Sequence, residues 1–208
     1  MAPATSVYVV VDDASVRRSL TRLLRSAGHQ VESFASGREF LERPPQARPA
    51  CLVLDIRMPG MTGLELQDAI AKHQQQMAIV FISGRGDIPM SVRAMKAGAV
   101  DFLTKPYNAD DMLGAVRHAL DKDVRDHADR LRLAEIRRGL SRLTPREAAV
   151  FDLVVLGRLN KQIAGELGIS EKTVKVHRAR VMDKMRAGSV ADLVRMAEVV
   201  ARSTLPPA

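Results

Sequence analysis

Between residues 7 and 104 the sequence alternates short, mostly apolar runs with stretches in which apolar residues recur every three or four positions. The apolar runs predict five strands, at residues 7–11, 30–34, 51–55, 78–83 and 100–104. The periodic stretches predict five helices, at residues 15–27, 37–42, 63–72, 88–97 and 109–120. Strands that alternate with helices in this way form a parallel sheet with helices on both faces. We therefore expect residues 1–121 to form a five-stranded α/β domain.

The character of the chain changes after residue 120. Residues 121–138 contain 11 charged residues in 18 and neither glycine nor proline, which is typical of a solvated helix. We interpret residues 122–139 as a helical linker, with a weak dimerising seam as the alternative. Residues 140–208 contain four further helical patterns, at 143–157, 160–168, 169–185 and 189–203. These patterns predict a small all-α domain.

The excess of positive charge lies mainly in the second half of the chain. The formal net charge is +8: 14 basic and 12 acidic residues give +2 over residues 1–120, and 18 basic and 12 acidic residues give +6 over residues 121–208. A basic C-terminal domain indicates a polyanionic partner such as DNA. Because the chain has no tryptophan, two tyrosines and five phenylalanines, it is poor in rings on which single-stranded bases stack. We therefore expect double-stranded DNA.

Composition also bears on the compartment. No apolar run approaches the roughly 18 residues that a membrane span needs, and the first six residues do not resemble a signal peptide. The single cysteine, Cys51, begins an apolar run and is expected to be a buried core residue. These features predict a cytoplasmic protein without a membrane partner.

Acidic, hydroxyl and ammonium groups stand at the ends of four predicted strands. Asp12 and Asp13 follow the first strand, Asp55 ends the third, Ser83 ends the fourth and Lys105 follows the fifth. In a parallel sheet these ends share one edge, which is where ligands bind. Clustered carboxylates repel one another unless a cation lies among them, and hard oxygen ligands suit Mg²⁺. A carboxylate beside Mg²⁺ and a lysine can accept a phosphoryl group, and the central Asp55 is the candidate acceptor.

Three segments carry a family resemblance: DIRMPGMTG from residue 55, SGRGDIPMSVRAMKAGAVDFLTKP from residue 83, and LTPREAAV followed by NKQIAGELGISEKTVKVHR in the C-terminal half. They resemble response regulators of the NarL/FixJ family, in its FixJ-like branch, in which a receiver domain precedes a LuxR-type helix-turn-helix domain. The resemblance implies a flavodoxin-like sheet in the order 2-1-3-4-5. It divides the chain into a receiver domain, 1–121, and a DNA-binding domain, 140–208.

The resemblance also implies a two-component phosphorelay. A sensor histidine kinase would transfer a phosphoryl group to Asp55, and the phosphorylated chain would dimerise and bind promoter DNA, with RNA polymerase as a further partner. Asp12, Asp55 and the backbone carbonyl of Arg57 would bind Mg²⁺. Ser83 and Lys105 would contact the phosphoryl group.

Further family features concern the switch. The Lys105–Pro106 peptide bond would be cis, and Phe102 would be the ring that turns inward on activation, with a fixed core ring as the alternative. The surface formed by residues 87–96 and 99–100 would mediate dimerisation.

Position 11 departs from the family pattern. The family has an acidic pair where this chain has Val11 and Asp12, so the acid that usually reaches Mg²⁺ through water is missing. Asp13 is expected to point the other way along an extended segment and so not to replace it. Because loss of such an outer carboxylate costs roughly 10–100-fold in metal affinity or activity, we expect weakened Mg²⁺ binding and, with one like charge fewer, a more stable metal-free form. The alternative is that Val11 only extends the core strand in a regulator that acts slowly or without phosphate.

Residues 170–186 carry the DNA-binding signal. They contain six basic and two acidic residues and follow a turn at Gly168, which is the pattern of a helix-turn-helix whose second helix enters the major groove. We expect Lys172, Lys175 and His177 near base edges. The phosphate contacts are expected from Arg178, Arg180 and Lys161, and Thr173 shares the outward face. A solvated charged face is the alternative, and a metal site at His177 is disfavoured because no second ligand stands at the required spacing.

Two other functions compete with this interpretation. An aspartate-based phosphatase or phosphotransferase usually has a second acid two residues after its nucleophile, but Ile56 and Arg57 follow Asp55. No P-loop, GxSxG or GxGxxG motif is present, so we expect no enzymatic activity beyond the receiver's own phosphotransfer and dephosphorylation. A protein-interaction adaptor without DNA binding is the second competitor.

Overall fold

The computed structural model describes residues 6–44, 49–72, 77–84 and 88–204. The chain forms two compact units, residues 1–127 and 128–208. Asp87, at the start of the predicted dimerisation surface, lies outside the described residues. Among the described residues, none of the helices combines the length and apolar character that crossing a membrane requires.

The first unit is built on a five-stranded parallel sheet, as predicted. Its strands are β1 (Ser6–Val10), β2 (Gln30–Phe34), β3 (Ala50–Asp55), β4 (Ala78–Ser83) and β5 (Asp101–Thr104). They lie in the order β2-β1-β3-β4-β5 with parallel pairing throughout. The expected order 2-1-3-4-5 is therefore confirmed. The order reverses between β1 and β3, so the carboxyl ends of these two strands flank the crevice in which such sheets bind ligands.

The helices of this unit are α1 (Ala14–Ser26), α2 (Gly37–Glu42), α3 (Gly63–Lys72), α4 (Ile88–Lys96) and α5 (Ala109–Ser141). The first four agree with the predicted bounds to within one residue. The fifth continues without interruption through residues 121–141, so the predicted helix at 109–120 and the predicted helical linker form one helix. Charge alone does not end a helix, and this segment has no helix-breaking residue before Gly139.

Alternating side chains divide the sheet into two apolar layers. One layer packs β1, β3 and β4 against α1 and α5; it includes Val7, Val9, Val11, Cys51, Val53, Ile82, Leu20, Leu24, Met112 and Val116. The other layer packs the same strands against α2, α3 and α4; it includes Tyr8, Val10, Leu52, Leu54, Phe81, Phe40, Leu66 and Ala94. Burial on both faces explains why the central strands are apolar at nearly every position.

The beginning of the predicted linker is not fully solvated. Asp123 is 3% exposed, and its Oδ2 accepts a hydrogen bond of 2.8 Å from the backbone N–H of Ala50. The carboxylate thus satisfies a backbone donor at the start of β3. This contact accounts for an acidic residue in a buried position that the charge pattern alone did not distinguish from its neighbours.

The second unit contains α6 (Pro145–Val155), α7 (Asn160–Leu167), α8 (Glu171–Met185) and α9 (Val190–Thr204), packed with the end of α5 around one apolar cluster. Thr144 and Glu147 form the predicted capping box of α6. Gly168 ends α7 with a φ of 65°, and Ser170 caps α8 by accepting a hydrogen bond from the Thr173 N–H. The four predicted helices are therefore confirmed.

Candidate functional sites

Asp55 lies at the carboxyl end of β3, at the centre of the sheet. It is 4% exposed, and its Oδ2 is 2.5 Å from the Lys105 Nζ. Its Oδ1 accepts a hydrogen bond of 3.1 Å from the Arg57 N–H. The carboxylate is therefore oriented at both oxygens, and the Lys105 ammonium group lies against one of them. These contacts bring together three of the predicted site residues.

The backbone places Lys105 opposite Asp55. The Lys105 N–H donates to the Ser83 carbonyl at 2.7 Å, which extends the pairing of β5 with β4 beyond Thr104. The following Lys105–Pro106 peptide bond is cis, as the resemblance implied. Lys105 itself keeps a side-chain exposure of 31%, so the Asp55 pocket stays in contact with solvent.

The neighbours of Asp55 on the adjacent strands are apolar. Because Val9 pairs with Val53 and Val10 with Leu54, the next residue, Val11, comes alongside Asp55. On the other side Ile82 pairs with Asp55. Val11 and Ile82 are both fully buried. Asp55 is therefore flanked on the adjacent strands by two aliphatic residues, and Val11 stands where the family resemblance led us to expect an acid.

The two acids after β1 have different surroundings. Asp12 is exposed at the edge that carries Asp55. The Oδ1 of Asp13 accepts hydrogen bonds from the Ser15 and Val16 N–H groups at 2.7 and 2.9 Å and so caps α1. These bonds lower the pKa of Asp13. Since its carboxylate is engaged by the helix, Asp13 does not replace the acid missing at position 11.

Arg17 is a further charged group beside this edge. Its Nη1 donates to the carbonyl oxygens of Val11 at 2.6 Å and of Asp12 at 2.9 Å. The guanidinium thus fixes the backbone that carries Asp12. The sequence did not indicate a role for Arg17. Nothing distinguished it from other basic residues except its place in the first turn of α1.

The donor set fits Mg²⁺. Asp12 and Asp55 supply two carboxylates, and the hydrogen bond from the Arg57 N–H keeps the main chain of residue 57 at the site. Mg²⁺ is commonly bound by one or two carboxylates and keeps several waters, so two suffice. Among the residues that the structure describes, no three His, Cys, Asp or Glu side chains come together as a metal site. A metal site with three carboxylate ligands would need one more acidic residue here.

Ser83 and Phe102 occupy neighbouring strands beside the site. Ser83 is fully buried, and its hydroxyl donates to the Gly84 carbonyl at 3.3 Å. Phe102 is half-buried and packs against the layer that includes Phe81 and Ala94. The hydroxyl therefore lies at the same edge as Asp55, and the ring is neither fully inward nor fully exposed.

Tyr107 is a site neighbour that sequence reasoning missed. It is half-buried against the α1 and α5 layer. Burial, and to a lesser degree the nearby Asp55 carboxylate, raise the pKa of its hydroxyl. Its signal in the sequence was its place directly after Lys105 and Pro106.

Gly63 allows the loop after Asp55 to close tightly. A Cβ at this position would come within 2.4 Å of the Asp55 carbonyl oxygen and 3.0 Å of the Ile56 Cα. The Gly63 N–H also donates to the Ile56 carbonyl at 2.9 Å. The start of α3 is thus packed against the backbone that presents the candidate acceptor.

The solvent-facing side of α8 carries half of the DNA-contacting residues that were predicted on this helix. Lys172, Lys175 and Arg180 are exposed, and so is Lys161 at the start of α7. Thr173 is half-buried, and its Oγ1 shares a hydrogen bond of 2.8 Å with the Ser170 hydroxyl. Val176, which sequence reasoning missed because it is apolar, is 45% exposed on this side.

Two other predicted DNA-contacting residues lie closer to the core of the unit. His177 is half-buried, and its Nδ1 is a buried atom without a hydrogen-bond partner among the described residues. The Nη1 of Arg178 donates to the Asn160 Oδ1 at 2.6 Å. The structure therefore does not bring all predicted residues of α8 onto one exposed face.

An ion pair holds the end of α8. The Lys184 Nζ is 2.6 Å from the Glu147 Oε2 and 3.0 Å from the Arg142 carbonyl oxygen. Glu147 is 2% exposed, and its Oε2 also accepts the Thr144 N–H. The hydrogen bond from Lys184, followed by that from Thr144, lowers the pKa of Glu147 to about 2.

Comparison with known proteins identifies both units. Residues 7–117 match the family model described as the response regulator receiver domain, and residues 141–197 match bacterial regulatory proteins of the luxR family. This chain belongs to the FixJ-like response regulators. It is 49% identical to nodulation protein W of Bradyrhizobium diazoefficiens over 194 residues, which cover 93% of this chain and 86% of the relative. It is 41% identical to the transcriptional regulatory protein FixJ of Azorhizobium caulinodans over 197 residues, which cover 95% and 93%.

Solved structures of response regulators have the same fold. The response regulator StyR is 47% identical and superposes with a TM-score of 0.82, covering 94% of this chain and 98% of StyR. Full-length FixJ from B. japonicum is 38% identical with a TM-score of 0.58, covering 95% and 97%. A FixJ-like response regulator is a two-component transcription regulator with a kinase partner and a DNA-binding domain, and not a classical enzyme.

Proposed function

We propose that this response regulator accepts a phosphoryl group on Asp55 from a sensor histidine kinase, then dimerises and binds promoter DNA to act with RNA polymerase. In this proposal residues 1–121 are the receiver, 122–139 the linker and 140–208 the DNA-binding domain. The observation that carries the proposal is the Asp55–Lys105 pair, 2.5 Å apart at the ligand-binding edge of the sheet. Glu147 is also a buried carboxylate in an ion pair, but it lies in the second unit and is not part of the sheet.

The transfer is an in-line displacement at phosphorus. One Asp55 carboxylate oxygen attacks the phosphorus of the donor, and the bond to the leaving group breaks with its electron pair on that group. The Lys105 ammonium group can follow the negative charge from the carboxylate to the phosphoryl oxygens. Asp12, Asp55 and the Arg57 carbonyl would hold Mg²⁺, which when bound neutralises charge on the transferring oxygens.

The signal would begin as a change of charge. Phosphorylation replaces the single negative charge of the Asp55 carboxylate with a phosphoryl group of about −1.5 to −2 and three strong acceptor oxygens. The Ser83 hydroxyl lies on the adjacent strand and would turn from the Gly84 carbonyl toward these oxygens. Phe102 would then move further inward, which would rearrange α4 and the surface formed by residues 87–96 and 99–100. Val92 and Met95, exposed on α4, supply apolar area for a dimer interface there.

The DNA contacts would come from the exposed side of α8. Lys172 and Lys175 are in reach of base edges if α8 lies in the major groove, and Arg180 and Lys161 would neutralise phosphates. Val176 between them would contact a thymine methyl group, since apolar side chains recognise that group in the major groove. Thr173 and His177 flank this set.

Metal binding is proposed to be weakened by Val11. The valine lies beside Asp55 where the family has an acid, and loss of an outer carboxylate costs roughly 10–100-fold in metal affinity or activity. Val11 also favours a second candidate function, a regulator that binds DNA equally well with and without phosphate.

A small-molecule phosphodonor tests the proposal. The full-length protein is incubated with acetyl phosphate and Mg²⁺ and examined by intact mass and by size-exclusion chromatography, with Asp55→Asn as the matched control. We expect the wild type to gain the mass of one phosphoryl group and to elute as a dimer, and the variant to do neither. Equal uptake by the variant would rule out Asp55 as the acceptor.

A further inference from the structure

Arg178 differs in its surroundings from the other basic residues in the middle of α8. Lys172, Lys175 and Arg180 are exposed, whereas Arg178 is half-buried. Its Nη1 donates a hydrogen bond of 2.6 Å to the Oδ1 of Asn160. Asn160 is the first residue of α7, so this bond joins the start of one helix to the middle of the other.

The position of Arg178 on the helix explains its contact. The buried side of α8 is formed by Val174, Val181 and Met185. Arg178 stands four residues after the first of these and three before the second, which places it next to the buried stripe. From there the guanidinium reaches across the junction with α7. The exposed side of the helix, which would face DNA, is a different face and carries Lys172, Lys175 and Arg180.

We infer that Arg178 is a positioning residue for DNA recognition and does not neutralise a phosphate. Through Asn160 it fixes the angle of α8 against α7, and so the placement of Lys172, Lys175 and Val176 against base edges. The inference rests on the proposed DNA-binding function and refines it, because the sequence pattern alone assigned Arg178 to a phosphate. A hydrogen bond from a charged donor is strong and directional enough to hold such an angle.

Salt dependence distinguishes the two roles. Each phosphate that a side chain neutralises contributes about 0.9 to the slope of log affinity against log salt, whereas a side chain that acts within the protein contributes nothing. We compare Arg178→Met with Arg180→Met, a matched change on the exposed side of the same helix, in the full-length protein with acetyl phosphate present. Asn160→Ala removes the acceptor but keeps the charge of Arg178. The probes are a duplex selected by the wild type from a random-sequence library and a scrambled duplex of the same composition.

The inference predicts that the variants distinguish the selected duplex from the scrambled duplex less well than the wild type does. Arg178→Met should bind the selected duplex roughly tenfold more weakly, bind the scrambled duplex as the wild type does, and keep the wild-type salt slope. Asn160→Ala should do the same, and the double variant should lose no more than either single variant, because both remove one contact. Arg180→Met should weaken both duplexes and make the slope shallower by about 1.

A different pattern would overturn the inference. If Arg178→Met weakens both duplexes equally and makes the slope shallower by about 1, Arg178 contacts a phosphate. Additive losses in the double variant would also exclude a shared contact. Should Arg178→Met fail to fold, Asn160→Ala decides alone, and unchanged discrimination in that variant would contradict the inference. Absence of salt-dependent duplex binding by the wild type would instead refute the proposed function.

Discussion

At the scale of single residues, the candidate acceptor is distinguished by what surrounds it. Asp55 has an ammonium group at one oxygen and a backbone N–H at the other, and its neighbours on the adjacent strands, Val11 and Ile82, are aliphatic. A family acid at position 11 would add a like charge at this spot. The valine removes that repulsion and also removes an outer ligand for a cation. We therefore expect Val11, relative to an acid at the same position, to raise folding stability and to lower metal affinity.

Placing the family's acid at position 11 tests both expected effects, on metal affinity and on folding stability. We expect Val11→Asp to raise Mg²⁺ affinity by roughly 10–100-fold and to lower the free energy of unfolding in the absence of metal, because a second carboxylate is buried beside Asp55. Mg²⁺ titration followed by NMR and urea unfolding measure the two effects. Val11→Asn is the control of equal size without charge. If Val11→Asn raises the affinity as much as Val11→Asp does, the charge is not responsible.

Gly63 provides a second test at this scale. A Cβ there would lie 2.4 Å from the Asp55 carbonyl oxygen, and a backbone atom cannot easily move away. We expect Gly63→Ala to destabilise the receiver by about 1–3 kcal/mol and to slow phosphoryl uptake.

The control for that change is Gly114→Ala in α5, where an added Cβ would meet nothing within 4 Å. Here we expect stabilisation by about 0.5–1 kcal/mol, because alanine favours helix more than glycine does. Urea unfolding of the two variants compares them directly. Equal destabilisation would show that the close approach at Gly63 is not the cause.

The residue types at the site were predictable, but some partners were not. Strand ends in a parallel sheet share one edge, so the sequence predicted that Asp55 and Lys105 would meet. Arg17 and Tyr107 were missed because their contacts depend on loop geometry that no pattern specifies. Val176 was missed because only charged and polar side chains of this helix were considered as DNA contacts, and it is 45% exposed.

At the scale of elements, α8 is held by polar contacts at three points along its length, two of which reach neighbouring elements. Ser170 caps its start, Arg178 joins its middle to Asn160, and Lys184 joins its end to Glu147. The helix that would read DNA is therefore held by directional polar contacts as well as by apolar packing. Burial of Glu147 makes the last contact sensitive to protonation.

The Lys184–Glu147 pair predicts an acid-sensitive second unit. The pKa of Glu147 is lowered from 4.5 to about 2, so its stabilising contribution is complete above about pH 4.5 and is lost as the pH falls through that range to 2. We expect Lys184→Met to destabilise α6 and α8 at neutral pH and to reduce this pH dependence, as measured by hydrogen exchange in these helices. Lys161→Met, at an exposed position, is the control. Identical pH profiles for Lys184→Met and the wild type would contradict the prediction.

The sequence predicted two separate helical segments, at 109–120 and in the linker, where the structure has the single helix α5. Apolar periodicity ended near residue 120, but the helix continues to Ser141 because nothing in the segment breaks it. Periodicity reports which side of a helix is buried, and it fades where a helix is mainly solvated although the helix itself persists. The buried Asp123 was not predictable either, because its acceptor role depends on a backbone N–H 73 residues away.

At the scale of the whole molecule, the chain combines a receiver domain with a luxR-type DNA-binding domain in one regulator. Periodicity and turn residues predicted a parallel sheet with helices on both faces and a helix-turn-helix, whereas the order of the strands was implied by the family resemblance. The proposed coupling between the two units could not be predicted in the same way, since it depends on a change of charge at Asp55 and on the response of α4. Dimerisation is the step that would connect them.

The most direct test of this coupling is the affinity of the full-length protein for its selected duplex, measured at fixed salt with and without acetyl phosphate. The account predicts tighter binding when the phosphodonor is present, with a dimer on the DNA, and no such response in Asp55→Asn. Equal affinity of the wild type under both conditions, despite the mass of a bound phosphoryl group, would contradict it.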